Sequence, residues 1–314
     1  MSPILVSFLW IVLGFVLLVK GGDYLVKGSV SIARKAHLSS MIIGMTVIGF
    51  GTSAPEMLVS LNAAMAGSSG IALGNVVGSN IANIALILGV TGLLYTCATD
   101  KHTLSVDLPF MVLACVLLAV VGMTGSIGRI TGIIGVLMLV AFIVWQIRTS
   151  REKGEDKETE EKTTYPLWLS ILMVVLSITA MVFGSHFLVD GARDVASALG
   201  VSERVIGLTI VAVGTSLPEL FASVMSAKRG ETDLAIGNII GSVSFNVFFV
   251  VGVSSAICPI EGSDVGFLYD YLLMVVLALL LWFFLFTHRT LERWEGGLLL
   301  LVYVGYIAHM VWTA

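Results

Sequence analysis

The sequence predicts an all-α integral membrane protein of ten transmembrane helices, in two inverted-topology five-helix repeats with helices 2 and 7 broken. Three observations predict it. The 314-residue chain is 57% hydrophobic and only 12% charged, with a mean hydropathy of +1.00, whereas a soluble domain carries roughly 25% charged residues. Apolar runs of roughly 20 residues recur from one end to the other, each long enough to cross about 30 Å of hydrocarbon as a helix. The sequence also matches itself without a gap at a shift of 163 residues. Unpaired backbone groups are costly in lipid, and runs this continuous are unlike barrel strands, so helices are expected.

The predicted spans are 4 to 33, 40 to 66, 71 to 95, 105 to 123, 127 to 147, 167 to 197, 203 to 227, 233 to 256, 268 to 287 and 296 to 313. Ile4 to Val19 has no basic region before it and no clear cleavage site, which favours a retained helix over a signal peptide. The first span carries Lys20, Asp23 and Lys27 in its second half, and the sixth carries His186, Asp190, Arg193 and Asp194. Two readings attach to these charges, interfacial snorkelling and a part in an ion path. Between the fifth and sixth spans, Thr149 to Thr164 is dense in Lys, Arg, Glu and Asp and reads as a solvated linker. It divides the chain into an N-terminal repeat (1–148), a charged cytoplasmic linker (149–165) and a C-terminal repeat (166–314).

Orientation follows from basic residues near the span ends. Arg34 and Lys35, Lys101, Arg148, Lys228 and Arg229, then Arg289 and Arg293, fall at alternate connections. Those sides are expected to be cytoplasmic, the central loop with them, and both termini outside. The 163-residue shift lays Gly51-Thr52-Ser53-Ala54-Pro55-Glu56 on Gly214-Thr215-Ser216-Leu217-Pro218-Glu219. It continues with Gly74-Asn75 and Gly78-Ser79 onto Gly237-Asn238 and Gly241-Ser242, and Asn83 onto Asn246. Five spans separate equivalent positions, and an odd number reverses orientation across the bilayer.

The motifs place two carboxylates in apolar segments, where an ionisable group needs an ion, a partner or water. Pro55 lacks an N–H and crowds the carbonyl of Gly51, and Pro218 does the same to Gly214, so both helices should break there. Carbonyls near Gly49, Phe50 and Gly51, and near Ala212, Val213 and Gly214, become candidate ligands. Ser79 and Asn83 share a helical face, as do Ser242 and Asn246. With the hydroxyls of Thr52, Ser53, Thr215 and Ser216, the inventory is all oxygen. Hard cations such as Ca²⁺ take six to eight oxygens at about 2.3–2.6 Å. The cluster contains no cysteine or histidine, so zinc or copper fits less well. Two glutamates neutralise one divalent ion, and the same oxygens can be shared among monovalent ions.

An enzyme would need a nucleophile and base or a metal set, whereas His37, His102, His186, His288 and His309 are scattered. Cys97, Cys115 and Cys258 lack metal-ligand spacing, and at least two are expected to be small buried side chains. Neither a bound cofactor nor a nucleic acid nor an obligatory protein partner is expected. The bilayer and inorganic cations are the expected partners.

These paired motifs, Gly-Thr-Ser-x-Pro-Glu followed by Gly74 to Asn83 and by Gly237 to Asn246, resemble the alpha repeats of the cation/calcium exchanger superfamily. The sodium/calcium exchanger branch and its small prokaryotic members are the nearest in pattern. The resemblance implies a secondary antiporter of Ca²⁺ and Na⁺ in the cell membrane. It implies Glu56 and Glu219 as central Ca²⁺ ligands, lined by Thr52, Ser53, Thr215 and Ser216 with carbonyls of Gly49 and Ala212. Ser79 and Ser242 would serve outlying Na⁺ positions, and Asn83 and Asn246 a middle layer, with the first and sixth helices as the sliding gate. Two departures bear on stoichiometry: Asn246 stands where the branch commonly has aspartate, and Val243, beside Phe245, where it commonly has asparagine. A proton-coupled exchanger, with H⁺ as coupling ion, is the near alternative, and a cation channel the alternative of another class.

Overall fold

The computed structural model describes residues 3–152, 165–200, 212–261 and 268–313. The first half contains α1 (Pro3–Ala36), α2 (Ser40–Thr52), α3 (Ala54–Met65), α4 (Ser69–Leu94), α5 (Thr103–Met123) and α6 (Arg129–Glu152). The second contains α7 (Leu167–Ala198), α8 (Ala212–Gly214), α9 (Leu217–Lys228), α10 (Thr232–Ile257), α11 (Leu268–His288) and α12 (Arg293–Thr313). Among the described residues, eight helices are long and apolar enough to cross a bilayer, and nine when the bent pair α2 and α3 counts as one span. The architecture is an all-α, multi-pass membrane fold. Of the predicted span 203 to 227, residues 203–211 lie outside the described residues, as do 153–164 of the linker. Helix α6, the predicted fifth span, runs on to Glu152, past its predicted end at 147, because no Gly or Pro interrupts the sequence there.

Local chemistry explains the ends. Ser39 caps α2 by accepting from the Ile42 N–H at 3.3 Å. The span predicted over 40 to 66 bends by 47° between α2 and α3, with Ser53 at φ −80°, ψ 5° and Pro55 in the first turn of α3. Proline tolerates that first turn, where its missing donor has no carbonyl to serve. Both α3 and α9 end on a left-handed glycine, Gly67 at φ 74° and Gly230 at φ 78°, which are 163 residues apart. Each closes with the same pair of bonds: Ser68 N–H to Ala63 O at 2.8 Å and Gly67 N–H to Ala64 O at 3.0 Å in one, Glu231 N–H to Ser226 O and Gly230 N–H to Ala227 O, both at 3.0 Å, in the other.

Two short ladders escaped the sequence reading. Strand β1 (Cys97–Ala98) pairs antiparallel with β4 (Thr290–Leu291), and β2 (Ser126–Ile127) with β3 (Ile260–Glu261). Residue 127, the predicted start of the fifth span, is therefore in a strand, and the helix begins at Arg129. Each ladder ties a connection of one half to a connection of the other.

Glycines set the close packing. A Cβ on Gly241 would lie 2.3 Å from the Met45 carbonyl oxygen, and one on Gly44 would lie 2.7 Å from the Leu234 carbonyl oxygen. Backbones of α2 and α10 thus touch directly, as small residues allow in lipid. The long helices α1 and α7 lie antiparallel: Ser7 contacts Gly191, Gly14 contacts Gly184, and Gly28 contacts Ser170. Helices α4 and α10 are enclosed by the others. Exposed apolar side chains such as Phe8, Ile130, Trp168 and Phe286 form the lipid-facing surface. Cys97 and Cys115 are buried and Cys258 half-buried, all as free thiols.

Candidate functional site

Glu56 stands in the first turn of α3, immediately after the bend, and Glu219 in the first turn of α9. A helix N-terminus favours negative charge, and both side chains are buried at 1% exposure. Their backbones are pinned alike. Asn75 Nδ2 donates to Glu56 O at 3.2 Å and to Ser60 Oγ at 2.8 Å. In the other half, Asn238 Nδ2 donates to Glu219 O at 3.3 Å and to Ser223 Oγ at 2.9 Å. The side chains then cross between halves, since Thr215 interacts with Glu56 and Thr52 with Glu219, while the Thr52 hydroxyl donates to Ile48 O at 3.1 Å. The two carboxyl groups are near enough to interact electrostatically.

The buried oxygens with no hydrogen-bond partner among the described residues include Ser53 Oγ, Glu56 Oε2, Asn83 Oδ1, Ser216 Oγ, Glu219 Oε2, Ser242 Oγ and Asn246 Oδ1, all from the repeated motifs. Buried polar atoms are seldom left so. Ser79 is buried one turn before Asn83. Gly49 abuts the backbone N of Ser242, where an added Cβ would lie 3.0 Å away. Its carbonyl accepts the Ser53 N–H at 3.2 Å, so it is not freed by the proline as the sequence suggested and keeps only its second lone pair. Ala212 opens α8, at the start of the short segment before Thr215. Of the departures, Val243 is fully buried and Phe245 directs its ring to Phe50, 5.4 Å between centroids. Among the described residues no group of three or more His, Cys, Asp or Glu side chains is placed to hold a metal ion. Of the motif oxygens named here, those of Glu56 and Glu219 belong to carboxyl groups and the rest to neutral side chains.

The long-helix charges separate into two environments. On one side Arg229 Nε donates to Asp23 Oδ1 at 2.8 Å and Lys27 Nζ lies 2.9 Å from Asp23 Oδ2. There α1 is packed tightly on α9, since a Cβ on Gly22 would lie 3.0 Å from the Phe221 carbonyl oxygen. On the other side the counterparts of Gly22 and Phe221, Ser185 and Leu58, line a cavity of about 410 Å³ that reaches Pro55, Thr215 and Pro218. His186, Asp190 and Arg193 also line it.

Sequence reasoning missed several supports. Ser185 donates to the Gly214 carbonyl, the group that Pro218 deprives of a helical partner. Its counterpart is Gly22, so the repeat gave no signal. Asn75 and Asn238 were visible in the repeat, but their task of holding the glutamate backbones depends on which helices pack together.

A membrane-spanning helical fold around a buried, oxygen-rich cluster with paired carboxylates defines a transporter of cations. The chain belongs to the sodium/calcium exchanger protein family, whose model matches residues 6–148 and 169–312. It is 36% identical over 344 residues to the sodium/calcium exchanger MaX1 of Methanosarcina acetivorans, covering 97% of this chain and 98% of that protein. It is 32% identical over 289 residues to the inner membrane protein YrbG of Escherichia coli, covering 87% of each. The solved sodium-calcium exchanger NCX_Mj superposes with a TM-score of 0.85 at 31% identity, over 98% of this chain and 99% of that one.

Proposed function

We infer that this protein is a secondary antiporter exchanging Ca²⁺ for Na⁺ by alternating access. The observation that carries this reading is the cluster of seven unpartnered buried oxygens, drawn from both halves and including both glutamates. Such oxygens fit a hard cation. Family membership and the likeness to the sodium/calcium exchangers MaX1 and NCX_Mj point the same way.

In this reading Glu56 and Glu219 hold Ca²⁺, with Thr52, Ser53, Thr215 and Ser216 and the carbonyls of Gly49 and Ala212 around them. Ser79 and Ser242 serve outlying Na⁺, and Asn83 and Asn246 a neutral middle layer. The chain has ten spans, with the seventh broken like the second. The backbone of Ser216, φ −89° and ψ 3°, supports this by repeating that of Ser53 before the same Pro-Glu turn. The halves 1–148 and 166–314 are inverted repeats joined by the 149–165 linker, a reading supported by the antiparallel α1 and α7. The basic connections support a cytoplasmic linker and Asp23–Arg229 pair with the termini outside, and in this reading the cavity beside His186 opens outward. Bound cations neutralise the two carboxylates, which removes the charge penalty of carrying them past apolar walls. Helices α1 and α7 then slide, closing the cavity and parting Gly22 from α9.

The deciding experiment is radiolabelled Ca²⁺ uptake into proteoliposomes under clamped potential, with a Na⁺ gradient and, separately, a proton gradient. Na⁺-driven uptake that Glu219→Gln removes is expected. Uptake driven only by protons would overturn Na⁺ coupling and keep the glutamates, and a persistent Ca²⁺ conductance would make the protein a channel.

A further inference from the structure

Asn80 belongs to none of the proposed ligands, yet it is fully buried on α4 and touches the cluster. Asn246 Nδ2 donates to Asn80 Oδ1 at 3.1 Å, and Asn80 Nδ2 donates to Met274 Sδ of α11 at 3.6 Å. A primary amide has two ends of nearly equal shape and opposite hydrogen-bonding sense. Shape alone therefore does not decide which end of Asn246 meets a cation. A thioether can accept but has nothing to donate. Met274 accordingly accepts from the NH₂ of Asn80, which turns the Asn80 oxygen toward Asn246, and that oxygen accepts from the NH₂ of Asn246. The end left over is Asn246 Oδ1, buried and without a partner among the described residues.

We propose that Asn80, oriented by Met274, is a positioning residue that presents the carbonyl oxygen of Asn246, and not its amide nitrogen, to the transported cation. This rests on the cation site proposed above. A carboxylate at position 246 would offer oxygen from either end and need no such help. The uncharged amide does need it, because a flipped amide aims a donor at the cation and turns attraction into repulsion. The device is one-sided: Val243, the counterpart of Asn80, has no polar atom with which to orient Asn83.

The test is equilibrium binding of radiolabelled Ca²⁺ to the purified full chain, with thermal unfolding as a check on folding. Asn80→Val is expected to weaken binding about tenfold, the worth of one orienting hydrogen bond. In an Asn246→Asp background the same substitution is expected to change binding by less than about twofold, because an oxygen then faces the cation whichever way the group turns. Equal losses in both backgrounds, or no loss in either, would overturn the proposal. If Asn80→Val does not fold, Met274→Leu decides: it keeps the volume and removes the acceptor, and unchanged binding would overturn the proposal. Glu219→Gln run alongside separates the two levels, since retained Ca²⁺ binding there sinks the cation site itself.

Discussion

A buried carboxylate that lacks enough internal donors is held in place by what it will bind, and Glu56 and Glu219 each keep one unpartnered oxygen. Groups that merely orient a metal's ligands cost about 10–100-fold in affinity when removed, so losing a ligand carboxylate costs at least that. Glu56→Gln and Glu219→Gln are each expected to lower Ca²⁺ affinity by about a hundredfold or more. Both should remain folded, because glutamine keeps the volume of the side chain and removes an ionisable group from apolar surroundings. Calcium binding and thermal melting of the same preparations check this, and normal Ca²⁺ affinity in both folded variants would remove the glutamates from the site. Ser185→Ala is a test of support. It leaves the Gly214 carbonyl, which Ser185 satisfies, without its donor, a loss of about 1–3 kcal/mol of stability visible as a lower Tm. The glutamates, serines and asparagines of the cluster were legible in the sequence because ionisable and polar groups are conspicuous in apolar runs and here occur twice at one spacing. Ser185 and Asn80 were not, because their counterparts are Gly22 and Val243. A role without a twin leaves no periodic trace.

At the scale of elements, the glycine rows of α2 and α10 set how near the two halves approach. Gly241→Val would drive a branched side chain into the Met45 carbonyl, already 2.3 Å from where a Cβ would sit. Overpacking of this kind costs about 1–3 kcal/mol, or more against backbone. The two helices should part, carrying Ser242 away from Gly49, so both Tm and Ca²⁺ uptake are expected to fall. Gly297→Ala is the matched control. Its added Cβ would lie 3.7 Å from Leu93 Cδ1, ordinary contact, and alanine gains about 0.5–1 kcal/mol over glycine inside a helix. A Tm at or above that of the parent is expected there, and a fall equal to that of Gly241→Val would show that any glycine substitution is disruptive. Span positions were legible from hydropathy, and the bend at Ser53 from Pro55. The β1–β4 and β2–β3 ladders were not, because two-residue strands carry no hydrophobic period and are fixed only when distant connections meet.

For the whole molecule the decisive fact is an asymmetry between equivalent places. Val189 lines the open cavity, whereas its counterpart Val26 is 1% exposed, beneath the contact that Asp23 and Arg229 bridge. Two arrangements of one pair of long helices against a fixed bundle are what alternating access requires, and the ion pair stabilises the arrangement described here. Its side chains are partly exposed, 23% for Asp23 and 34% for Arg229, so its worth is that of a surface pair, about 0.2–1 kcal/mol. Such an energy shifts a two-state ratio by at most about fivefold, which biases an exchanger without locking it. Arg229→Ala is therefore expected to raise the reactivity of a thiol placed by Val26→Cys toward a membrane-impermeant reagent, applied from the face that carries position 229, by up to about fivefold. The measurement needs a Cys258→Ser background only, since Cys97 and Cys115 are buried. High salt should raise the same reactivity when Arg229 is present and change it little when Arg229 is absent, because screening and removal act on one interaction. Reactivity unaltered by both treatments would mean that the tight packing of Gly22 on α9, and not the charge pair, holds this side shut.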